Sequence, residues 1–376
     1  MNKLLISLAT VACIISAVSC GSGSGKVRED FVIASNAQRG QESPQYNSER
    51  RVRVRLYAPD VNVKSIKLDI NAKLYDLKRN RYGFWAGESD PLDEGFHYYQ
   101  LVVDGVNVPD PGSEYYYGSA RWGSGVDIPS PDSELFEVQK VPQGQLRGTY
   151  YWSEEKQAMR HCFVYTPAEY DRNPDKHYPV LYLLPGGAEN EYSWARQGRI
   201  AQIMDNLLAA GKCEPFLIVM DNCQLEDPWG WEEDYTSIMA NDLIPMVDTT
   251  FRTISDRDHR AMAGLSYGGL QVKWSAFARP DIISYVGLFS GGTITAEEAA
   301  ENPAFKDGMK LVFISFGETE LVWPTFGIEE GTDPVQQTED LKASGMNAHF
   351  YLSPRTHHEW LSWRRSMYEF AQMLFR

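Results

Sequence analysis

The chain has 376 residues, 43% of them hydrophobic, and a formal net charge of −15. That length exceeds one average domain, so two are expected, and the apolar share supplies real cores and excludes wholesale disorder. So acidic a chain is a poor match for nucleic acid or an anionic membrane surface, and the charge reads as plain solubility.

The first 20 residues stand apart from the fold. Lys3 is a minimal basic segment, Leu4 to Val18 is apolar, and Ala17-Val18-Ser19-Cys20 closes the run with small residues before a cysteine. The run is too short to span a membrane and has the form of a secretory leader. It resembles a bacterial lipoprotein signal, which makes Cys20 the lipidated residue and a lipid anchor the expected membrane attachment. Gly21-Ser22-Gly23-Ser24-Gly25 then reads as a tether over residues 21–27.

Residues 28–140 read as a small β-sandwich. Arg51-Val52-Arg53-Val54-Arg55-Leu56 alternates as a strand with one wet face, and Ile66, Leu68 and Ile70 alternate likewise. Asp104-Gly105, between Phe96–Val103 and Val106–Val108, predicts a type I′ hairpin turn. The segment Val141 to Gln145 reads as a junction.

From 145 to 376, strands alternate with helices. Val180–Leu184, Phe216–Met220, Ala261–Leu265, Tyr285–Phe289 and Leu311–Phe316 are continuous apolar runs, as strands buried on both faces require. Ile200, Ile203, Met204, Leu207 and Leu208 have helical spacing. Another helical pattern holds Ile238, Met239, Leu243 and Val247, with Pro245 predicted to kink or interrupt it. The alternation predicts a mostly parallel sheet with helices on both faces and a site at the carboxyl ends of the strands. The mature region retains Cys162, Cys213 and Cys223. The strand between the last two holds them about 20 Å apart, too far for a disulfide. No Cys/His cluster has metal-ligand spacing, and no cofactor is implied.

Gly264-Leu265-Ser266-Tyr267-Gly268 is G-x-S-x-G after an apolar strand. In a sharp strand-to-helix turn, small flanking residues avoid a collision and the serine hydroxyl is lifted out for attack on a carbonyl. Such a serine needs a base, and the base needs a carboxylate, in the chain order Ser, acid, His. Beyond Ser266 lie His349, inside a strand pattern, and His357 and His358, in the loop after it. Glu318, Glu320 and Asp333 are the candidate acids. Backbone N–H groups of Tyr267 and of the loop Pro185-Gly186-Gly187-Ala188 are candidate oxyanion donors.

Taken together, Tyr182 to Gly187, Trp194, Arg260 to Gly269, Phe289-Ser290-Gly291, His358-Glu359-Trp360 and Trp363-Arg364 resemble the esterase-D-type enzymes. These include the feruloyl and acetylxylan esterases of carbohydrate esterase family 1. The segment Gly95 to Pro111 resembles the early-set, immunoglobulin-like, glycogen-binding-type sandwich that precedes many of them. The resemblance implies an α/β-hydrolase domain at 145–376 with Ser266 as nucleophile and His358 as base. It implies Glu320 as acid and Gly187 with Tyr267 as the oxyanion hole. The chain departs from the family pattern in having Glu320 for an aspartate and Pro185 for a histidine. The expected substrate is a polysaccharide-linked ester, with Trp194, Trp229, Trp231 and Trp360 candidates to stack on an aromatic acyl group. The alternatives are a siderophore trilactone esterase and a non-catalytic glycan-binding lipoprotein with a decayed site.

Overall fold

The computed structural model describes residues 27–224, 235–322 and 332–376. The leader with Cys20, and Trp229 and Trp231, lie outside the described residues. No described helix is long and apolar enough to cross a membrane.

The alternating strands of the N-terminal region form two antiparallel sheets. One contains Arg51–Tyr57 and Phe84–Pro91, the other Ile66–Ile70, Gly95–Val103 and Arg121–Ile128. Period-two alternation turns Val52 and Val54 of one sheet, and Ile66, Leu68 and Ile70 of the other, into a single shared core. The Asp104-Gly105 turn has φ 49° and 90°, the left-handed pair that a type I′ hairpin demands.

The second region is built on an eight-stranded sheet, its strands numbered here along the chain. They are β1 (Gln145–Ser153), β2 (Ala158–Thr166), β3 (Val180–Leu184), β4 (Leu217–Asp221), β5 (Arg260–Leu265), β6 (Tyr285–Phe289), β7 (Leu311–Gly317) and β8 (Ala348–Ser353). Their spatial order is β1-β2-β4-β3-β5-β6-β7-β8. Pairing is antiparallel from β1 to β4 and parallel from there to β8. Strands β3 to β7 are buried along their whole length, because each face carries its own apolar layer. Helices Ile200–Ala209 and Trp360–Ala371 cover one face. Helices Ile244–Thr250, Tyr267–Ala278 and Pro334–Ala343 cover the other. Pro245 does not interrupt the helix: the π-helical stretch Ile238–Leu243 continues through Leu243 and Ile244, both in helical conformation, into the α-helix Ile244–Thr250, and the change from π to α falls just before the proline. Cys162, Cys213 and Cys223 are buried and free.

The two regions share packing. Phe96, Tyr116 and Phe136 from the N-terminal side join the same apolar cluster as Trp194, Trp360 and Leu361. Beside them, Asp127 accepts from Arg364 at 2.8 Å and from Arg199 at 2.6 Å.

Candidate active site

The site lies at the carboxyl ends of β3, β5, β7 and β8, where four loops converge. At the end of β5 the chain reverses into helix Tyr267–Ala278 through Ser266, whose φ of 51° and ψ of −122° are strained for a residue with a Cβ. Two contacts hold the strain. Ser266 N–H donates to the Phe289 carbonyl at 2.8 Å, and Gly269 N–H donates to the Ser266 carbonyl at 2.9 Å. The flanking glycines are sterically required, since a Cβ on Gly264 would strike the backbone of Gly268, and one on Gly268 would strike the Pro185 carbonyl.

His358 sits between Ser266 and Glu320. Its Nδ1 is 2.7 Å from Glu320 Oε1 and its Nε2 is 2.9 Å from Ser266 Oγ. An ionised carboxylate only accepts, so the ring proton belongs on Nδ1, and Nε2 is left to accept from the serine hydroxyl. The Trp363 ring packs edge-on against the imidazole, with centroids 5.1 Å apart. Of the three candidate acids, Glu320 alone reaches the histidine. Glu318 accepts from the Arg355 N–H at 2.6 Å, and Asp333 caps helix Pro334–Ala343 by accepting from the N–H groups of Val335 and Gln336.

Glu320 is 1% exposed. Its Oε2 accepts from the Ser290 hydroxyl at 2.8 Å and the Gly317 N–H at 2.6 Å. Ser290 in turn accepts from the Trp363 indole N–H at 3.1 Å. Burial pushes the Glu320 carboxyl up, but His358, Gly317 and Ser290 together outweigh it and hold the group below its ordinary value.

The loop after β3 runs beside the elbow. A Cβ on Gly186 would lie 3.3 Å from Ser266 Cβ, so that glycine lets the Gly186-Gly187 backbone approach the serine. Tyr267, the first residue of the helix, places its N–H at a positive helix end. Among the described residues no group of three or more His, Cys, Asp or Glu could hold a metal ion.

For Trp194 and Trp360 the stacking expectation needs correcting. Trp194 is 1% exposed, its indole N–H donating to the Leu184 carbonyl at 2.9 Å. Trp360 is 2% exposed and donates to Tyr98 and Glu189. Neither presents a face for an acyl group to stack on; both pack the floor beneath the loops. Sequence reasoning missed Ser290, Trp363 and Glu189. Ser290 lay within the quoted Phe289-Ser290-Gly291, but its φ of 50° and inward hydroxyl leave no mark in a residue pattern.

A family model described as a putative esterase matches residues 153–372. An endo-1,4-beta-xylanase/feruloyl esterase of Xylanibacter ruminicola is 38% identical over 363 residues, which is 93% of this chain. The chain spans about half of that relative, 48% of its length. A ferulic acid esterase of Anaeromyces mucronatus, solved with ferulic acid, superposes with a TM-score of 0.54 at 21% identity, covering 65% of this chain and 96% of the other. An enterobactin esterase of Shigella flexneri superposes with a TM-score of 0.60 at 14% identity, covering 86% of this chain and 92% of the other. The fold is thus that of the α/β-hydrolase-type esterases, with an all-β region ahead of it. The chain belongs to the putative esterase family.

Proposed function

We propose that Ser266 is the nucleophile, His358 the general base and Glu320 the orienting acid of a polysaccharide-directed esterase. The observation that carries this reading is the continuous hydrogen-bonded chain from Ser266 Oγ through His358 to Glu320 on a strained elbow. His358 Nε2 takes the hydroxyl proton as Ser266 attacks the ester carbonyl. The N–H groups of Tyr267 and Gly187 receive the tetrahedral oxyanion. His358 returns the proton to the leaving alcohol, and water then hydrolyses the acyl-enzyme by the same steps. Glutamate serves in place of aspartate because the role is only to accept from the ring N–H, and the turn Glu318–Leu321 folds the longer stem inward. With Pro185 in the oxyanion loop, no imidazole is available there, and both proposed donors are backbone groups.

For the substrate we take a feruloyl ester on xylan, which the 38% identical relative's xylanase/feruloyl esterase name supports. The N-terminal region is then an immunoglobulin-like, carbohydrate-directed module. The enterobactin esterase likeness, which extends over 86% of the chain, favours a second reading, hydrolysis of a siderophore trilactone. Parallel assays separate them: release of ferulate from feruloylated arabinoxylan supports the first, and turnover of enterobactin without ferulate release overturns it. Ser266→Ala should lower kcat by about 10⁴-fold or more in whichever assay is productive. Parental turnover by that variant, or no labelling of Ser266 by a fluorophosphonate, refutes the assignment.

A further inference from the structure

Two residues beyond Gly187, the Glu189 side chain turns away from solvent and is 7% exposed. Its Oε1 accepts from the Tyr98 hydroxyl at 2.9 Å and the Trp360 indole N–H at 3.2 Å, while its Oε2 accepts from the Gly186 N–H at 3.4 Å. The carboxyl thus bridges the loop beside Ser266, the helix that follows His358, and the N-terminal strand Gly95–Val103. Tyr98 is itself fixed, accepting from Gln197 Nε2 at 2.7 Å. Burial above all, with the neighbouring Glu189 carboxyl, raises the Tyr98 phenol well above its ordinary value, so it keeps the proton it donates.

A second tie reaches the same loop from the same direction. The hairpin of Tyr115–Gly118 and Arg121–Ile128 turns through Ser119 and Ala120, with φ of 53° and 57°. At its tip the Ala120 N–H donates to the Ala188 carbonyl at 2.8 Å, and Ala188 has φ 60°. The Ser119-Ala120 pair is the left-handed pair a type I′ hairpin demands, while Ala188 is a non-glycine residue held left-handed by its surroundings.

We propose that Tyr98 and Glu189 are positioning residues for the esterase reaction, through which the N-terminal region sets the Gly186-Gly187 backbone at the oxyanion hole. This rests on the reading of Gly187 and Tyr267 as the oxyanion donors. A backbone donor misplaced by a few tenths of an ångström loses most against the charged tetrahedral state and little against the neutral ester. The effect therefore falls on kcat and spares KM. Removing a direct oxyanion donor costs about 10²–10³-fold, and loosening its support should cost about 10-fold.

The test uses the full chain with 4-nitrophenyl acetate, an ester too small to engage any polysaccharide contact. Tyr98→Phe keeps the ring and removes the donated proton. Glu189→Gln puts an amide where the Gly186 N–H needs an acceptor. Both should lower kcat about 10-fold with KM within twofold, and weaken a boronic acid that forms a tetrahedral adduct on Ser266 in the same proportion. Unchanged kcat in both variants, or a loss carried by KM with boronic acid affinity unaltered, overturns the proposal. Fluorophosphonate labelling of Ser266 in the parent protein keeps the two readings apart. If the parent is labelled and active while the variants are unaffected, only the positioning role falls. If the parent is not labelled, the underlying site assignment falls instead.

Discussion

The loop after β7 and the loop after β3 each carry one buried glutamate, and the two behave oppositely. Glu320 and Glu189 are both almost fully removed from solvent. Glu320 is held below its ordinary value, whereas burial pushes Glu189 up to about 7, with Tyr98, Gly186 and Trp360 only partly offsetting it. The partners account for the contrast. Glu320 faces the His358 imidazole, in addition to the Gly317 N–H and the Ser290 hydroxyl. Glu189 faces only neutral donors, which cannot repay the desolvation of a charge. One loop is built around an ionised acid, and the other around a carboxyl poised between its two forms.

The sharpest way to break this comparison is to make the two residues alike. Glu320→Gln replaces the acceptor at His358 Nδ1 with an amide that can hold the wrong tautomer, and kcat on 4-nitrophenyl acetate should fall about 10⁴-fold. A loss no larger than that of Glu189→Gln would show that Glu320 is not special. A smaller effect is expected from Ser290→Ala, which removes one donor to Oε2 and leaves Gly317 and His358 in place. A fall of about 5-fold in kcat, or about 1 kcal/mol, is the outcome steady-state kinetics should return.

Stability against pH sharpens the contrast without touching turnover. Glu189 has a folded value above its unfolded one, so its contribution is fully present below about pH 4.5 and is lost as pH rises through about 7. Glu320 has a folded value below its unfolded one, so its contribution is present above about pH 4.5 and is lost as pH falls further. Urea midpoints measured from pH 3 to 8 should therefore flatten above pH 5 in Glu189→Gln and below pH 4.5 in Glu320→Gln. The same flattening in both variants would contradict the assignment of opposite shifts.

How far residue patterns reach differs between these loops. The buried strands announce themselves as unbroken apolar runs, and the elbow as a pentapeptide whose glycines answer a local steric need. Chain order and strand pattern narrow the histidine to His357 or His358, and the family resemblance names His358. The acid stayed open among three carboxylates because the choice depends on which way a single turn points each side chain: Glu320 goes inward and Glu318 outward to Arg355. Trp194 and Trp360 misled because an indole placed near a loop reads alike whether its N–H meets a buried acceptor or its face meets a ligand. The Tyr98–Glu189 contact joins residues 91 positions apart, and no periodicity carries that information.

Asp127 gives the shared packing of the two regions an evolutionary meaning. It belongs to the N-terminal strand Arg121–Ile128, yet it answers the guanidinium groups of Arg199 and Arg364 from the other region. Arg364 is 3% exposed and lies against Phe96 and Asp127 of the N-terminal region, so a module that covered it without supplying an acid would strand a buried cation, a strongly destabilising defect. Modules of this kind do not shuffle freely. A replacement N-terminal module would have to arrive already carrying an acid at that point, so recombination that separates the two halves is selected against by electrostatics before any substrate is met.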